Sequence, residues 1–237
     1  MKIVRYDACD DIDVEFLDDF HYIKATTYSN FIRGQVKNPY DRDLFGVGYI
    51  GVGKWKVKHN GKWSRVYLCW RHMIERCYHK KSSKQYPAYY GICTVCDEWH
   101  NFQNFAEWYK EREYQCTGRL HLDKDIKNPG NTVYSPENCI LVPQELNVLF
   151  VNKSNNRGVP NGIQKCSKGY SAKYDGKSLG VYQTIEEAYY EQTKKKKEEI
   201  IRMVNDYKDI IPIEVYEAII KYEFSIENDR NYRKVSY

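Results

Sequence analysis

The stretch "LDKDIKNPGNTVYSPENCILVPQELN", residues 122–147, decides what the middle of this 237-residue chain can fold into. Hydrophobic spacing predicts a strand from Leu120 to Asp123, and Gly and Pro mark a loop from Asn128 to Pro136. A second strand is expected over Cys139 to Val142. A helix should then start at Pro143, because proline favours the first helical position.

Two side chains in this stretch have the chemistry of ligands for a hard metal ion. Asp123 ends the first strand and Asn147 lies one turn into the helix, so that both can meet on one divalent cation. Carboxylate and amide oxygens suit Mg²⁺ or Mn²⁺, and water and a phosphate group would complete the coordination. Asn138 is expected to hold the loop through hydrogen bonds to backbone.

The arrangement resembles the HNH, or ββα-metal, nuclease family, whose motif has an Asp-His pair, a central Asn and a final His or Asn. Here Asp123-Lys124, Asn138 and Asn147 fall at those positions, but the histidine is missing. The wider chain resembles HNH endonucleases of bacteriophages over about residues 1–222, through "CWRHMIERCY", "YPAYYGICTVCDEWHNFQNFAEWY", "LDKDI" and "GNTVYSPENCILVPQELNVLF". The resemblance implies a metal-dependent phosphodiester hydrolase with Asn138 among its catalytic residues.

The missing histidine leaves two candidates for the general base, the group that in the family takes a proton from the attacking water. Lys124 stands at the histidine position, but a lysine must be neutral to act, so a metal and partial burial would have to lower its ordinary pKa of about 10.4. His121 is the alternative, because residues 121 and 123 share one side of an extended strand. In that case Lys124 would clamp phosphate.

Charge and aromatic content indicate a surface for a polyanion. The net charge is +5, yet residues 1–20 hold two basic and seven acidic side chains, so the remaining chain carries +10. Ten Lys or Arg lie between Lys54 and Lys84 against one acid, Glu75. They are interleaved with tryptophans and tyrosines, a mixture that is typical of phosphate-facing surfaces. A solvated basic face on an ordinary enzyme is the alternative.

Cysteine usage and hydropathy indicate where the protein works. Eight cysteines are scattered without the density of a disulfide scaffold, so we expect reduced thiols. Zinc sites usually show paired C-x-x-C motifs, and here Cys93 and Cys96 form one pair, with Cys69 and Cys77 as further thiols. Buried thiols are therefore favoured over Zn²⁺. The sequence has neither a signal peptide nor an apolar stretch that could span a bilayer, which predicts a protein of the host-cell cytoplasm with no membrane partner.

Residues 1–52 are expected to form a small N-terminal β module. In "DIDVEFLDDF", Ile12, Val14 and Phe16 alternate with acids, the pattern of a half-buried strand. Residues 53–152 are expected to form the nuclease domain.

That domain opens with signals for a hairpin and two helices. Asn60-Gly61 between alternating segments predicts a tight hairpin. A helix should follow over "VYLCWRHMIERCYH", with a core-facing stripe at Val66, Trp70, Met73, Ile74 and Cys77. "EWHNFQNFAEWYKERE" predicts a second helix that buries Phe102, Phe105 and Trp108 or Tyr109.

Residues 153–237 are expected to form a separate unit behind a turn-rich linker, "KSNNRGVPN". "GIQKCSKGYSAKYDGKSLGVYQT" predicts three short strands with Asp175-Gly176 as a hairpin turn. Thr184 and Glu187 make a capping box for a helix that runs to about Tyr207.

A last apolar helix should begin at Pro212. Its buried positions are expected to be Ile213, Tyr216, Ile219 and Ile220.

The unit from Gly162 to about Val204 resembles the AP2 family of DNA-binding domains, in which a three-stranded sheet lies in the major groove and a helix braces it. The resemblance implies DNA contacts by strand and turn residues, namely Lys165, Lys168, Tyr170, Lys173 and Lys177. Arginines are absent from these strands, so the sequence does not separate phosphate positioning from base readout.

Together these observations predict an α+β chain with a small N-terminal β module, a central ββα-metal nuclease fold and a C-terminal three-stranded sheet with a helix. The predicted function is that of a phage-type, metal-dependent endonuclease on double-stranded DNA, of the homing or mobile-element kind. A DNA-binding protein that has lost catalysis is the alternative, and an RNA-directed nuclease is a third. A single site leaves nicking and dimeric cutting open, and the oligomeric state is undetermined.

Overall fold

A computed structural model describes residues 1–232 and divides the chain into two compact units. The first unit comprises Met1–Trp108, and the second begins at Tyr109. Both combine helices with small antiparallel sheets, which agrees with the predicted α+β class. The predicted domain boundaries at 52/53 and 152/153 do not coincide with this division and stay predictions. Residues 233–237 of the predicted C-terminal domain lie outside the described residues.

The first unit is built from short strands and helices. Its strands are β1 (Lys2–Ala8), β2 (Asp11–Glu15), β3 (Ile23–Thr26), β4 (Lys58–His59), β5 (Lys62–Trp63) and β6 (Thr94–Val95). Its helices are α1 (Tyr28–Ile32), α2 (Arg65–Tyr78) and α3 (Phe102–Arg112), and α3 contains the division between the units. Short 3₁₀ helices lie at Lys80–Ser82 and Asp97–His100.

The N-terminal strands form the expected β module. β1, β2 and β3 pair antiparallel in that order. Ile12 and Val14 of β2 are fully buried, and they form a small core with Phe16 and Val36. The helix α1 was not predicted; it begins behind Thr27, whose side chain caps it.

The hairpin and the helix that follows it are confirmed. β4 and β5 pair around Asn60-Gly61, whose φ angles of 49° and 77° are those that a tight type I′ turn requires. Ser64 then caps α2. The buried face of α2 contains the predicted stripe, which consists of Val66, Trp70, Met73, Ile74 and Cys77.

The aromatic residues of α3 are packing residues, as predicted. Phe102, Phe105 and Trp108 are buried. The indole N–H of Trp70 donates a 2.7 Å hydrogen bond to the backbone carbonyl of Trp99, so that this fully buried side chain is also held by a polar contact.

The second unit has its own elements. Its strands are β7 (Leu120–Asp123), β8 (Val133–Tyr134), β9 (Ile140–Pro143), β10 (Ile163–Cys166), β11 (Gly169–Tyr174) and β12 (Lys177–Tyr182). Its helices are α4 (Gln144–Asn147), α5 (Ile185–Asp206) and α6 (Ile213–Lys221), and a 3₁₀ turn at Val148–Phe150 extends α4.

The predicted start of α4 is one residue too early. Pro143 closes β9 as its last residue and serves as the N-cap, and the helix begins at Gln144. The predicted loop from 128 to 136 also contains β8. Neither difference moves Asn147 out of the helix.

The main core of this unit lies between β9, α4, α5 and α6. Val142, Leu146, Ile200, Val204 and Ile219 are buried within it. These residues come from four elements, so the strand and helix of the candidate site share one core with the two C-terminal helices.

The apolar face of α6 differs from the prediction at one position. The helix begins at Ile213, one residue later than predicted, with Pro212 as its N-cap. Ile213 is 67% exposed, and Val215 occupies the buried position with Ile219. The ammonium of Lys197 donates to carbonyl groups at the C-terminal end of α6, where a positive charge is favourable.

The C-terminal sheet and helix are confirmed. β10, β11 and β12 form an antiparallel sheet, and Asp175-Gly176 makes the β11–β12 turn with φ angles of 47° and 74°. Thr184 and Glu187 form the capping box of α5, which ends at Asp206. None of the helices within residues 1–232 is long and apolar enough to cross a bilayer.

The predicted linker is held by side-chain amides. Asn155 donates to Val159 O and to Asn161 Oδ1, and Asn161 donates to Asn152 Oδ1 at 2.8 Å. Asn231 donates to the same Asn152 oxygen at 3.2 Å. The segment therefore lacks regular structure but has a defined path.

Candidate active site and nucleic-acid surface

Two paired strands form the base of the candidate site. In the antiparallel register of β7 and β9, His121 lies opposite Val142 and Asp123 opposite Ile140. Because alternate residues of a strand point to opposite faces, Leu122 enters the core while His121 and Asp123 share the other face. An imidazole and a carboxylate therefore lie two residues apart, about 7 Å along the strand.

The short helix α4 brings Asn147 to this face. A helix of four residues has no stability of its own, so the complete burial of Leu146 fixes its position. The Nδ2 atom of Asn147 lies 3.3 Å from Nδ1 of His121. Its Oδ1 atom is buried and has no hydrogen-bond partner among residues 1–232. A buried oxygen in that state costs about 1–3 kcal/mol, which a ligand would offset.

Asp123 is a desolvated carboxylate with one oxygen in use. Its Oδ1 accepts hydrogen bonds of 2.8 Å from the backbone N–H groups of Asp125 and Ile126. Desolvation raises the pKa of Asp123, an effect that these two hydrogen bonds and the Lys124 charge partly oppose. A partly buried carboxylate of this kind is a favourable partner for a cation.

The oxygens of Asp123 and Asn147 fit the metal that the resemblance implies. The unpartnered buried Oδ1 of Asn147 and the desolvated carboxylate are hard ligands of the kind that Mg²⁺ and Mn²⁺ select. Within residues 1–232, no cluster of three or more His, Cys, Asp and Glu side chains could hold a metal ion. A cation at this site would accordingly depend on the amide, on water and on a substrate phosphate.

The His121–Asn147 contact also determines how His121 can move a proton. When Nδ2 of Asn147 donates to Nδ1, a neutral His121 carries its hydrogen on Nε2, where it can donate a hydrogen bond but cannot take a proton. Rotation of the amide by 180° would place Oδ1 against an Nδ1–H group and leave Nε2 able to take a proton. The first orientation leaves both lone pairs of Oδ1 for a cation, whereas the second uses one on the ring and leaves the other.

Lys124 holds the loop that follows β7. Its side chain is buried, and its ammonium donates to Asp125 Oδ1 at 2.6 Å and to the backbone carbonyl of Asn131. The ammonium also lies 5.8 Å from the ring centre of Tyr134. These contacts all favour the charged form, which cannot accept a proton.

Asn138 makes the loop contacts expected of it. Its Nδ2 donates to Val133 O at 3.4 Å, and its Oδ1 accepts from Asn128 Nδ2 at 2.8 Å. Among the predicted site residues, His121, Asp123 and Asn147 therefore share one face, while Lys124 and Asn138 support the loop.

One aromatic residue near this site was not predicted. Burial raises the pKa of Tyr222 to about 12, and the negative charges of Asp125 and Asp123 add to the effect. Its ring packs at 4.9 Å from that of Phe150, which follows α4. No local pattern relates Tyr222 to a strand about a hundred residues earlier, so sequence reasoning could not find it.

The zinc prediction concerned thiols in the first unit. Cys93 is buried, and Cys96 is half-buried beside β6. Nothing in these positions distinguishes the two alternatives, and the preference for thiols over zinc stays a prediction.

The C-terminal sheet divides the predicted DNA-binding residues between its two faces. Ile163 and Ala172 are buried under α5, so Lys165 and Tyr170, two positions along, belong to the helix-side face. Lys173 follows Ala172 and is exposed on the opposite face. That face is the one open to a partner.

The remaining predicted DNA contacts lie at the turns of this sheet. Lys168 is exposed in the β10–β11 turn, and Lys177 is exposed at the start of β12. Tyr170 is half-buried against the cluster of Ile163 and Ala172. Its ring is therefore at least partly a packing element.

The basic stretch in the first unit includes an exposed hairpin. Lys58 lies 4.1 Å above the ring of Trp63, which is 45% exposed, and Lys62 belongs to the same hairpin. Cations combined with an exposed ring form a surface that suits a nucleic acid.

Three comparisons address the wider relationships of the chain. A scan against protein-family models, a search of curated proteins and a search of solved structures found no match. The resemblance to HNH nucleases and to AP2 domains therefore depends on the residues alone.

Proposed function

We propose that this protein is a metal-dependent endonuclease that hydrolyses phosphodiester bonds in DNA. The observation that carries the proposal is the buried, unpartnered Oδ1 of Asn147, which lies beside His121 on the face that also presents Asp123. This arrangement provides two hard oxygen ligands and a proton-transfer group within one strand and one helix.

Each of these residues has a role in the proposed reaction. Asp123 and Asn147 would hold the Mg²⁺ or Mn²⁺ ion, which supplies charge stabilisation for the phosphate and its leaving oxygen when bound. His121 would take a proton at Nε2 when the Asn147 amide is turned so that Oδ1 accepts from Nδ1–H, with the second lone pair of Oδ1 left for the cation. The buried Lys124 stabilises the loop whose backbone N–H groups orient Asp123.

Of the two proton-transfer candidates, His121 is the better supported. It shares a strand face with Asp123 and contacts Asn147, whereas the Lys124 ammonium is paired with Asp125 and the Asn131 carbonyl. An ammonium that donates to a carboxylate and a carbonyl has no lone pair, so Lys124 would have to lose a proton before it could take one from water.

Exposed lysines on the C-terminal sheet and the β4–β5 hairpin would bind the phosphate backbone. Lys173 offers a cation on the open face of the sheet, and Lys58 and Lys62 offer cations beside an exposed ring. Such contacts supply affinity that depends on salt. A phage homing or mobile-element role rests on the resemblance alone.

Cleavage of supercoiled plasmid DNA tests the proposal. We expect wild-type protein with Mg²⁺ or Mn²⁺ to nick or linearise the plasmid, and we expect Asn147→Leu to bind the same DNA without cutting it. Absence of cleavage across several DNAs and both metals, with retained binding, would contradict the enzyme and favour the DNA-binding alternative.

That alternative has one specific observation in its favour. The position that carries histidine in the family is occupied here by Lys124, which the loop holds as a cation. Competition of labelled DNA by unlabelled RNA, in the same binding assay, tests the RNA-directed nuclease. RNA that displaces DNA at equal concentration would shift the proposed substrate to RNA.

A further inference from the structure

A cavity in the first unit is lined by residues that do not belong to the candidate active site. Its volume is about 530 Å³, within the range of small-molecule sites in proteins. Tyr22, Tyr49 and Tyr67 contribute to its wall, together with charged side chains from β3 and from the segment before α2.

The wall continues into a cluster of rings. Phe20 stacks on Tyr40 with 4.2 Å between ring centres, and Tyr40 lies 5.7 Å from Tyr22 and 5.9 Å from Tyr49. Phe20 is 47% exposed, so part of this cluster faces solvent. Exposed rings that adjoin a cavity can stack on a flat ligand.

Two tyrosine hydroxyls of the wall lie in a partly desolvated environment. Burial raises the pKa of both Tyr49 and Tyr67. Within residues 1–232, neither hydroxyl makes a hydrogen bond to another protein group. Each hydroxyl can therefore donate a hydrogen bond to a polar ligand in the cavity.

Charges of both signs line the same cavity. Lys24 and Lys37 lie on the wall, and the ammonium of Lys24 donates to Lys37 O at 3.2 Å. Asp41 and Asp43 are exposed on the wall as well. The site therefore combines cations for an anionic group with carboxylates that can accept from N–H or O–H donors.

We propose that this cavity binds a nucleotide. Its tyrosine rings would stack on the base, Lys24 and Lys37 would neutralise the phosphate, and Asp41 or Asp43 would accept from a base amino group or a sugar hydroxyl. The proposal does not depend on the nuclease site, because it uses no residue of the second unit.

A nucleotide can reach the cavity from two sources. It can be free in solution, or it can be one unit of a single-stranded nucleic acid. Both sources present the same base, sugar and phosphate to the cavity, so the choice of titrants must distinguish a free nucleotide from a single strand.

Isothermal titration of the full-length protein in metal-free buffer tests the proposal. The titrants are adenosine and cytidine 5′-monophosphates, adenosine, inorganic phosphate and a short single-stranded oligodeoxynucleotide. We expect a monophosphate to bind more tightly than either adenosine or phosphate alone. Stronger binding of the oligonucleotide than of both monophosphates would identify the strand as the source.

Three variants locate the binding. Tyr67→Phe removes only a hydroxyl and should weaken nucleotide binding by about 5-fold, the scale of one hydrogen bond. Lys37→Gln should weaken monophosphate binding by about 10-fold and leave adenosine binding unchanged. Lys208→Gln, an exposed lysine outside both the cavity wall and the basic stretch, is the matched control.

Two outcomes would overturn the proposal. The first is no heat from either monophosphate or the oligonucleotide at about 1 mM, the limit of weak binding. The second is nucleotide binding that Tyr67→Phe and Lys37→Gln leave equal to that of Lys208→Gln. Thermal unfolding of each variant verifies that it is folded, and a folded variant with unchanged affinity counts against the site.

Discussion

The second unit presents polar side chains in two contrasting environments. At the β7–α4 face, Asp123 is desolvated and Asn147 keeps a buried oxygen without a partner. On the C-terminal sheet, Lys168, Lys173 and Lys177 are exposed to solvent. Buried polar groups without partners reduce stability, and exposed lysines cost little. The comparison shows why the proposed function assigns chemistry to the first region and long-range attraction to the second.

The largest expected effect comes from removing the charge at the desolvated carboxylate. Asp123→Asn keeps an oxygen that can accept from the N–H groups of Asp125 and Ile126, but it loses the anionic ligand. We expect plasmid cleavage to fall by on the order of 100-fold or more and DNA affinity to stay near wild type.

Asp175→Asn is the matched control for this change. It makes the same substitution in the exposed β11–β12 turn, where asparagine also tolerates a positive φ. Cleavage by this control should equal wild type. If Asp123→Asn also cut at the wild-type rate, the site would be misplaced.

The next prediction distinguishes His121 from Lys124 as the residue that transfers the proton. His121→Gln should lower the cleavage rate by about 100-fold, the usual scale for losing a proton-transfer group. Lys124→Met should instead destabilise the fold by about 1–3 kcal/mol, because it leaves loop acceptors unpaired, while cleavage at low temperature changes little. Cleavage rates and urea unfolding of both variants measure the difference.

The opposite ranking would restore Lys124 as the base. In that case Lys124→Met would abolish most cleavage in a folded protein, and the wild-type cleavage rate would keep rising into the alkaline range.

Asn147→Asp provides a further comparison, because a carboxylate can accept from Nδ1–H of His121 and also bind a cation. Retained cleavage in Asn147→Asp with loss in Asn147→Leu would establish that an oxygen is required there.

A smaller effect is expected on the exposed surface. Lys173→Gln removes a cation from the open face of the sheet, while Lys165→Gln removes one on the helix-side face. Lys173→Gln should weaken DNA binding several-fold and reduce the slope of log affinity against log salt by about 1. Lys165→Gln should change the slope less. If the two variants had equal slopes, the face of the sheet on which a lysine lies would not determine whether that lysine contacts DNA.

The two regions also differ in how far their structure could be predicted. In the C-terminal unit, Asp175-Gly176 and the Thr184–Glu187 capping box act over a few residues, so the sequence was sufficient to predict the turn and the helix. At the site, strand alternation placed His121 and Asp123 together. The Lys124 side chain points toward the loop because its ammonium donates to the Asn131 carbonyl, and hydrophobic periodicity does not reveal such a contact.

Exposure of individual apolar residues was harder to predict than the elements that contain them. The prediction for α6 placed Ile213 in the core, yet it lies in the first turn and faces solvent, while Val215 is buried. The helical pattern was correct, but the face that meets β9 and α5 is determined by tertiary packing.

The smallest expected effect is on stability, and its sign follows from the raised pKa of Asp123. The folded state binds this proton more tightly than the unfolded state, whose carboxyl has the ordinary pKa of 3.8. Folding stability should therefore decrease as pH rises from the unfolded pKa through the raised folded one. Above this pH window the folded state carries the full cost of an ionised Asp123, and Asp123→Asn removes that cost. In metal-free buffer near neutral pH the variant should unfold at a higher temperature than wild type, and the two should converge as pH falls below 4.

Added Mg²⁺ should stabilise wild type and leave the variant unchanged, because binding to the folded state alone raises the unfolding temperature. A variant that is less stable than wild type at neutral pH, and equally responsive to Mg²⁺, would mean that the Asp123 carboxylate is a structural group rather than a ligand.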